Sequence, residues 1–218
     1  HPRETIRELN FEELELLWED SRHTLKILTV APERVSAKDL PRLARWCKPR
    51  KIRLSLGHSH ASEAQSRAAF EAGFTGVTHA WNALGFHHRA AGPLGAALGR
   101  KDIFVELILD QVHVSPTLIR WTRALHGERN ICFVSDCVPA AATTGEWTGF
   151  GDLKIRLENG ACRLASGHLA GGGILLPEAF ERWIRLEAAH TRKPLATVRK
   201  RQLAAVTTDP LKYLGISA

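Results

Sequence analysis

The sequence of 218 residues contains no methionine, and its first residue is His1. A gene product of this size is expected to carry an initiator and a few internal methionines. We therefore expect either a partial chain or the loss of modified methionines from the written sequence, and both explanations stay open at this point.

Long apolar runs and a secretory leader are absent as well. No apolar stretch approaches the ~20 residues that a membrane-spanning helix needs. The opening residues HPRETIRELN contain neither the basic segment nor the apolar core of a signal peptide. We therefore expect a cytoplasmic protein without a membrane partner.

Paired cysteines are missing too, because no CxxC spacing occurs among Cys47, Cys132, Cys137 and Cys162. This spacing excludes a zinc ribbon, and the chain length argues against a disulfide scaffold. The sequence predicts reduced thiols with a structural role. Cys137 is also expected to pack as a small apolar residue, although its neighbour Asp136 leaves open a contact with a functional site.

The charge is strongly positive, with a net charge of +7. Lysine and arginine are mostly scattered, and their densest run, from Arg192 to Arg201, is typical of a solvated helix and loop. No zinc-finger or RNP pattern accompanies the charge. We expect no nucleic-acid partner, and a basic surface instead suits the electrostatic attraction of a small anionic substrate.

Short apolar runs alternate with helical patterns, which is typical of parallel βαβ units. The predicted strands are Leu25–Val30, Ile52–Leu56, Gly76–Thr78, Ile103–Leu109 and Ile131–Ser135. The predicted helices between them are Phe11–Ser21, Ala37–Cys47, Ala61–Ala72 and Ser115–Leu125. Five strands with their helices make about half of an eight-stranded barrel.

The alternation stops after Asp136. Leu153–Leu157 and Ala161–Leu164 flank Asn159-Gly160, a dipeptide that favours a type I′ hairpin turn. Helical stretches follow at Pro177–Ala189, Leu195–Val206 and Pro210–Leu214. No linker composition interrupts the chain, so we expect residues 1–218 to form one domain that contains about half of a barrel.

A histidine or a carboxylate follows each predicted strand. In parallel α/β folds, functional side chains lie at the carboxyl ends of the strands. The residues at these positions, in chain order, are Glu33, His58, His79, His113 and Asp136. Each taken singly has an ordinary structural explanation, such as a helix cap for Glu33 or a hydrogen-bonded core histidine for His79. Five successive coincidences favour function.

The ligand types predict the chemistry of the site. Glu33, His58 and His79 form a set of one oxygen and two nitrogen ligands that suits Zn²⁺ or Fe²⁺, and three protein ligands leave a position for water. A metal-bound water can have its pKa lowered to ~7. Asp136 would then take and return the proton of that water.

Eight segments of the sequence resemble the N-acetylglucosamine-6-phosphate deacetylase family of the amidohydrolase superfamily, in the family's order and spacing. They are TVAPE (29–33), GHSHA (57–61), THAWNAL (78–84), HHRAAGPLGAAL (87–98), ELILDQVHV (106–114), FVSDCVPAA (133–141), GHLAGG (167–172) and AVTTDPLKYLGI (205–216). The resemblance covers most of the chain. It implies a metal-dependent (β/α)8 TIM-barrel hydrolase, of which this chain contains the C-terminal part of the barrel, a hairpin and terminal helices. The resemblance also implies that the domain formed by residues 1–218 is incomplete, with its first strands and a small β-domain missing.

The resemblance also implies roles for individual residues. Glu33, His58 and His79 match the ligands of a divalent metal, and Asp136 matches the catalytic acid/base. The residues that match substrate contacts are Asn82 and Ala83 for the sugar phosphate, Arg89 for the phosphate, His113 for the sugar or acetamide, and a loop of Leu169, Ala170 and Gly171. A homodimer is implied, with Arg89 reaching across its interface.

The sequence departs from the family's pattern at three places. Gln111-Val112 replaces the usual glycine before the His113 motif, Cys137-Val138 replaces the usual small residues after Asp136, and Gly172 stands where the family often has serine. The implied reaction is hydrolysis of N-acetylglucosamine 6-phosphate to glucosamine 6-phosphate and acetate. The alternatives are hydrolysis of another N-acyl or cyclic amide, and a non-catalytic protein that binds amino-sugar phosphates.

Overall fold

The computed structural model describes residues 6–141, 143, 146–150 and 153–216, and it divides the chain into two compact units. The first unit consists of the described parts of His1–Val105 and Leu211–Ala218, and the second is Glu106–Pro210. Within the described residues, no helix is both long enough and apolar enough to span a bilayer.

The first unit is built from βα repeats. Its strands β1 to β4 are Ile27–Val30, Arg53–Leu56, Phe74–Val77 and the start of Phe104–Ile108. Its helices α1 to α4 and α8 are Phe11–Asp20, Asp39–Cys47, Glu63–Ala72, Gly92–Ala97 and Thr208–Leu214, the last of which begins in the second unit. Strands β1, β2, β3 and β4 pair in parallel, in that order.

The second unit contains the end of β4, strand β5 at Ile131–Val134 and an antiparallel sheet. The antiparallel strands β6 to β9 are Glu146–Phe150, Leu153–Glu158, Ala161–Leu164 and Leu169–Gly172. Helices α5, α6 and α7 are Pro116–His126, Leu176–Thr191 and Leu195–Gln202, and a 3-10 turn follows at Leu203–Val206. Together, β1 to β5 form one five-stranded sheet in sequence order.

Side-chain caps set where several helices begin. Asn10 accepts a hydrogen bond from the Glu12 N–H at 2.8 Å at the start of α1. Ser62 and Gln65 form a reciprocal capping box on α3, and Ser115 caps α5 ahead of Pro116. The helices therefore begin where their sequences supply an oxygen acceptor for the free N–H groups of the first turn.

The apolar runs form the cores of the two units. Leu54, Leu56 and Val77 are at most 2% exposed, as expected for strands of a parallel sheet that are covered on both faces. In the second unit, Phe133 of β5 packs edge-to-face on Trp183 of α6, whose Nε1–H donates to the Gln202 Oε1 at 2.9 Å. The buried indole thus keeps a hydrogen-bond partner.

The predicted parallel sheet of five strands is confirmed, and so is the hairpin. Asn159 and Gly160 have φ values of 51° and 81°, the two positive values that a type I′ turn requires. Helix α4, strands β6 and β9 and the 3-10 turn at Pro32–Arg34 were not predicted. The sequence of α4, GPLGAA, contains two glycines and a proline, so its helical propensity is low and its burial determines its conformation.

Candidate functional site

The predicted metal ligands Glu33, His58 and His79 all lie in the first unit, just beyond the carboxyl ends of β1, β2 and β3. The His58 Nε2 and His79 Nε2 atoms approach to 2.9 Å, with their rings edge-to-face. Burial, followed by the neighbouring His79, lowers the pKa of His58. This favours the neutral imidazole, which is the form that binds metals.

The carboxylate of Glu33 contacts the segment that follows His58. Its Oε2 accepts a hydrogen bond from the Ser59 hydroxyl at 2.6 Å, and its Oε1 accepts one from the His60 N–H at 2.8 Å. Glu33 lies in a 3-10 turn and does not cap α2, which begins at Asp39. The alternative of a simple helix cap is therefore wrong for Glu33.

Among the described residues, no three His, Cys, Asp or Glu side chains are placed together so that they could hold a metal ion. The structure brings together two of the three predicted ligands, while the Glu33 carboxylate is hydrogen-bonded to Ser59 and His60. The donor chemistry still fits a divalent metal, because neutral imidazole nitrogens and a carboxylate are its usual protein ligands.

Asn82 and Ala83, which are predicted to contact the sugar phosphate, are hydrogen-bonded through their backbones to His79 and to Ser59, the residue after His58. The Asn82 N–H donates to the His79 carbonyl at 2.9 Å, and the Ala83 carbonyl accepts from the Ser59 N–H at 2.9 Å. Arg89 is exposed, and its backbone N–H donates to the His87 Nδ1 at 3.3 Å. Backbone bonds thus tie Asn82 and Ala83 to the strand exits that carry the histidines.

His113 lies in the second unit, in a turn that follows β4. Its Nδ1 pairs with the Asp110 Oδ2 at 2.6 Å, and the Asp110 Oδ1 accepts from the N–H groups of Val112 and His113 at 2.9 Å each. Burial raises the pKa of Asp110, but the hydrogen bonds from His113 and Val112 outweigh burial, so the pKa lies below its ordinary value.

Asp110 is a candidate functional residue that the sequence interpretation missed. An ionised Asp110 accepts a hydrogen bond from the Nδ1–H of His113. This bond fixes the orientation of the imidazole ring and leaves its Nε2 for another partner. The signal was present in the sequence, since Asp110 ends the apolar run LILD three residues before the histidine.

Asp136 follows β5 in the second unit and is exposed. Its carbonyl accepts a hydrogen bond from the Gly172 N–H at 2.8 Å, and Cys137 forms an isolated parallel bridge with Gly172. The structure therefore places the predicted acid/base beside the backbone of the GHLAGG segment.

The resemblance implied a loop at Leu169, Ala170 and Gly171, and this prediction of their conformation is wrong. These residues belong to β9, which pairs with β8 through Ala161–Gly172, Cys162–Gly171 and Arg163–Leu169, with an irregularity between Cys162 and Arg163. The pairing with β8 supplies the backbone hydrogen bonds that make this glycine-rich segment a strand. The role of the three residues in substrate binding stays a prediction.

The cysteines behave as structural thiols, and all four are free. Burial raises the pKa of Cys47 to about 12 and also raises the pKa of Cys132. The half-buried Cys137 donates its S–H to the Ile174 carbonyl at 2.9 Å. Protonated, buried thiols are poor nucleophiles and poor metal ligands.

Four of the predicted functional residues other than glycine have left-handed backbone conformations. The φ values of His58, His79, Ala83 and Asp136 are 49°, 34°, 48° and 48°. Such a conformation costs a non-glycine residue roughly 1–3 kcal/mol and persists only where the surroundings impose it. His58, His79 and Asp136 each stand two residues past the end of a parallel strand, so in each unit the strain lies at strand exits where function is expected.

Gly172 has no room for a side chain. A Cβ atom there would lie 2.0 Å from the Ser135 carbonyl oxygen, next to Asp136. We expect Gly172→Ser, the residue common in the family, to destabilise the intact protein by about 1–3 kcal/mol. Urea unfolding measures this change, and Ala170→Ser in the same strand is the control. Equal stabilities of the two variants would contradict the expected clash.

No protein-family model matches the chain. The chain is 37% identical over 188 residues to N-acetylgalactosamine-6-phosphate deacetylase of Escherichia coli O157:H7. The aligned residues cover 85% of this chain and 48% of that relative. The chain is 34% identical over 191 residues to N-acetylglucosamine-6-phosphate deacetylase of Vibrio furnissii, covering 85% and 47% of the two chains. The chain spans about half the length of the curated relatives it matches.

Solved structures give the same result. A variant of N-acetyl-D-glucosamine-6-phosphate deacetylase from Mycobacterium smegmatis, in complex with N-acetyl-D-glucosamine-6-phosphate, aligns with a TM-score of 0.87 at 26% identity, over 100% of this chain and 56% of that one. The N-acetylglucosamine-6-phosphate deacetylase of Thermotoga maritima aligns with a TM-score of 0.79 at 30% identity, over 99% and 55%. Over about half of their length, N-acetylglucosamine-6-phosphate deacetylases are similar to this chain in sequence, and its fold aligns with part of theirs.

Proposed function

We propose that the protein containing this chain is a metal-dependent amidohydrolase that removes the acetyl group of N-acetylglucosamine 6-phosphate. The observation that carries the proposal is the approach of the His58 and His79 Nε2 atoms to 2.9 Å at neighbouring strand exits, in a chain similar to these deacetylases. The products are glucosamine 6-phosphate and acetate. The missing strands of the barrel, and its small β-domain, are then supplied by the rest of a longer protein.

Glu33, His58 and His79 would hold the divalent metal, for which Zn²⁺ is our first choice and Fe²⁺ the alternative. When bound, such a metal supplies a water of lowered pKa and polarises the acetamide carbonyl. The lowered pKa of His58 keeps its imidazole neutral for this role.

The remaining residues bind the substrate and move protons. Asp136 accepts a proton from the attacking water and delivers it to the leaving nitrogen as the C–N bond breaks. His113, held at Nδ1 by Asp110, directs Nε2 to the sugar or the acetamide. The planar guanidinium of Arg89 donates two parallel hydrogen bonds to phosphate oxygens, and Asn82 and Ala83 contact the same phosphate. Leu169, Ala170 and Gly171 contact the sugar.

The N-acetylgalactosamine epimer is a second candidate substrate. The relative in Escherichia coli O157:H7 at 37% identity is an N-acetylgalactosamine-6-phosphate deacetylase, while the one in Vibrio furnissii at 34% acts on the glucosamine epimer by name. Both substrates carry the same acetamide and phosphate, so the proposed site suits either.

We also propose a homodimer, a cytoplasmic location and no nucleic-acid partner. A charged sugar phosphate does not cross a bilayer unaided, so the reaction belongs where the sugar is phosphorylated. Part of the densest basic run is neutralised within the second unit, since Arg199 pairs with Glu181 at 2.7 Å and Arg201 with Glu128 at 2.9 Å. This pairing reduces the charge left for a nucleic acid.

Elemental analysis of the intact protein, together with acetate release from both sugar phosphates, tests the function. We expect about one zinc or iron per chain and an acetate release that a chelator abolishes and added metal restores. Metal without acetate release from either epimer would move the substrate to another amide. No metal, with tight binding of the sugar phosphate, would mean a non-catalytic binding protein.

A further inference from the structure

Ser59 joins the segments that carry the candidate metal ligands and the candidate phosphate ligands. Its N–H donates to the Ala83 carbonyl, and its own carbonyl accepts from the Gly85 N–H, both at 2.9 Å. These bonds form an isolated parallel bridge between Ser59 and Leu84. Ser59 is 0% exposed, so nothing in solvent can replace its contacts.

The Ser59 hydroxyl has a defined direction. It accepts a hydrogen bond from the Ala61 N–H at 3.0 Å, which leaves its own proton for the Glu33 Oε2 at 2.6 Å. The His60 N–H donates a hydrogen bond to the other carboxylate oxygen of Glu33, Oε1, at 2.8 Å. Two adjacent residues therefore fix both oxygens of Glu33, immediately after His58.

We propose that Ser59 is a positioning residue, which orients the Glu33 carboxylate for the metal and couples it to the phosphate-binding segment 82–85. This assignment rests on the proposed function. An ionised carboxylate has about four acceptor sites. Ser59 and His60 occupy one on each oxygen, so one on each oxygen is left for a metal.

Removing the hydroxyl frees the Glu33 Oε2 to rotate away from the orientation that a metal requires. Hydrogen-bond partners of metal ligands typically change metal affinity by about 10–100-fold when they are substituted. We expect Ser59→Ala in the intact protein to weaken Zn²⁺ binding about tenfold.

The experiment titrates Zn²⁺ into the metal-free intact protein in competition with a chromophoric chelator. The matched control is Ser66→Ala, because Ser66 is also 0% exposed but its hydroxyl donates to the Ser62 carbonyl of its own helix at 2.9 Å. Ser59→Cys keeps the side-chain size with a much weaker donor, and it serves as the second variant if Ser59→Ala does not fold.

A double-mutant cycle separates positioning from general damage. If Ser59 acts through Glu33, Ser59→Ala weakens zinc binding in the wild-type background and has no further effect in a Glu33→Ala background. The assignment is overturned if Ser59→Ala binds zinc as tightly as Ser66→Ala, or if its effect is the same in both backgrounds. A wild-type protein that binds neither Zn²⁺ nor Fe²⁺ would overturn the proposed function itself.

Discussion

Asp136→Asn is expected to lower kcat for acetate release by about 10²–10⁴-fold, the usual contribution of a general acid–base group. Asparagine keeps the shape of the side chain but cannot take a proton from water or return it to the leaving nitrogen. The backbone contact of Asp136 with Gly172 involves its carbonyl, so the substitution leaves that contact in place.

The metal content of Asp136→Asn should equal that of the wild type, because Glu33, His58 and His79 are unchanged. Steady-state kinetics and elemental analysis of the same preparation measure both quantities. Asp102→Asn, at an exposed surface carboxylate paired with Arg100, is the matched control. A wild-type rate in Asp136→Asn would assign the base to another residue.

The positions of His58, His79 and Asp136 were predictable because two strong signals agree. Short, largely buried runs such as RLSL and ICFV specify parallel strands, and parallel strands present their carboxyl ends at one edge. A polar residue just past each run is therefore placed by topology alone. The structure puts all three within two residues of the strand ends.

The hydrogen bonds around these residues were not predictable from the sequence. Ser59 and Ser62 are both serines that precede a helical pattern, and either fits a helix cap by sequence. The structure assigns the cap to Ser62 and gives the Ser59 hydroxyl to Glu33. The choice depends on a contact between residues 26 positions apart in the chain, which no local pattern contains.

Backbone strain and the β9 strand were missed for a related reason. Non-glycine residues with positive φ, such as His58 and Asp136, contradict local preference and persist only because the surrounding structure fixes them. The segment Leu169–Gly172 has the glycine content of a loop and becomes a strand through pairing with β8. In both cases tertiary contacts override local propensity.

Arg89→Gln should raise KM for N-acetylglucosamine 6-phosphate about 10–100-fold and change kcat little. The loss of a charge-assisted hydrogen bond costs about 1.5–3 kcal/mol, and an interaction made equally in the ground state and the transition state affects KM. The exposed position of Arg89 makes its guanidinium accessible to a phosphate. Unphosphorylated N-acetylglucosamine lacks the partner charge, so its kinetics should change less than about threefold.

The comparison of the two substrates is what assigns the phosphate to Arg89. Arg67→Gln is the control, since Arg67 is an exposed arginine on α3 that pairs with Glu63 at 2.5 Å. A general loss of positive charge would affect both arginine variants alike through long-range attraction, and added salt would reduce that effect. A direct contact instead confines the rise in KM of Arg89→Gln to the phosphorylated substrate. If Arg89→Gln raises KM equally for both substrates, the phosphate lies elsewhere, and the site would suit a neutral amide.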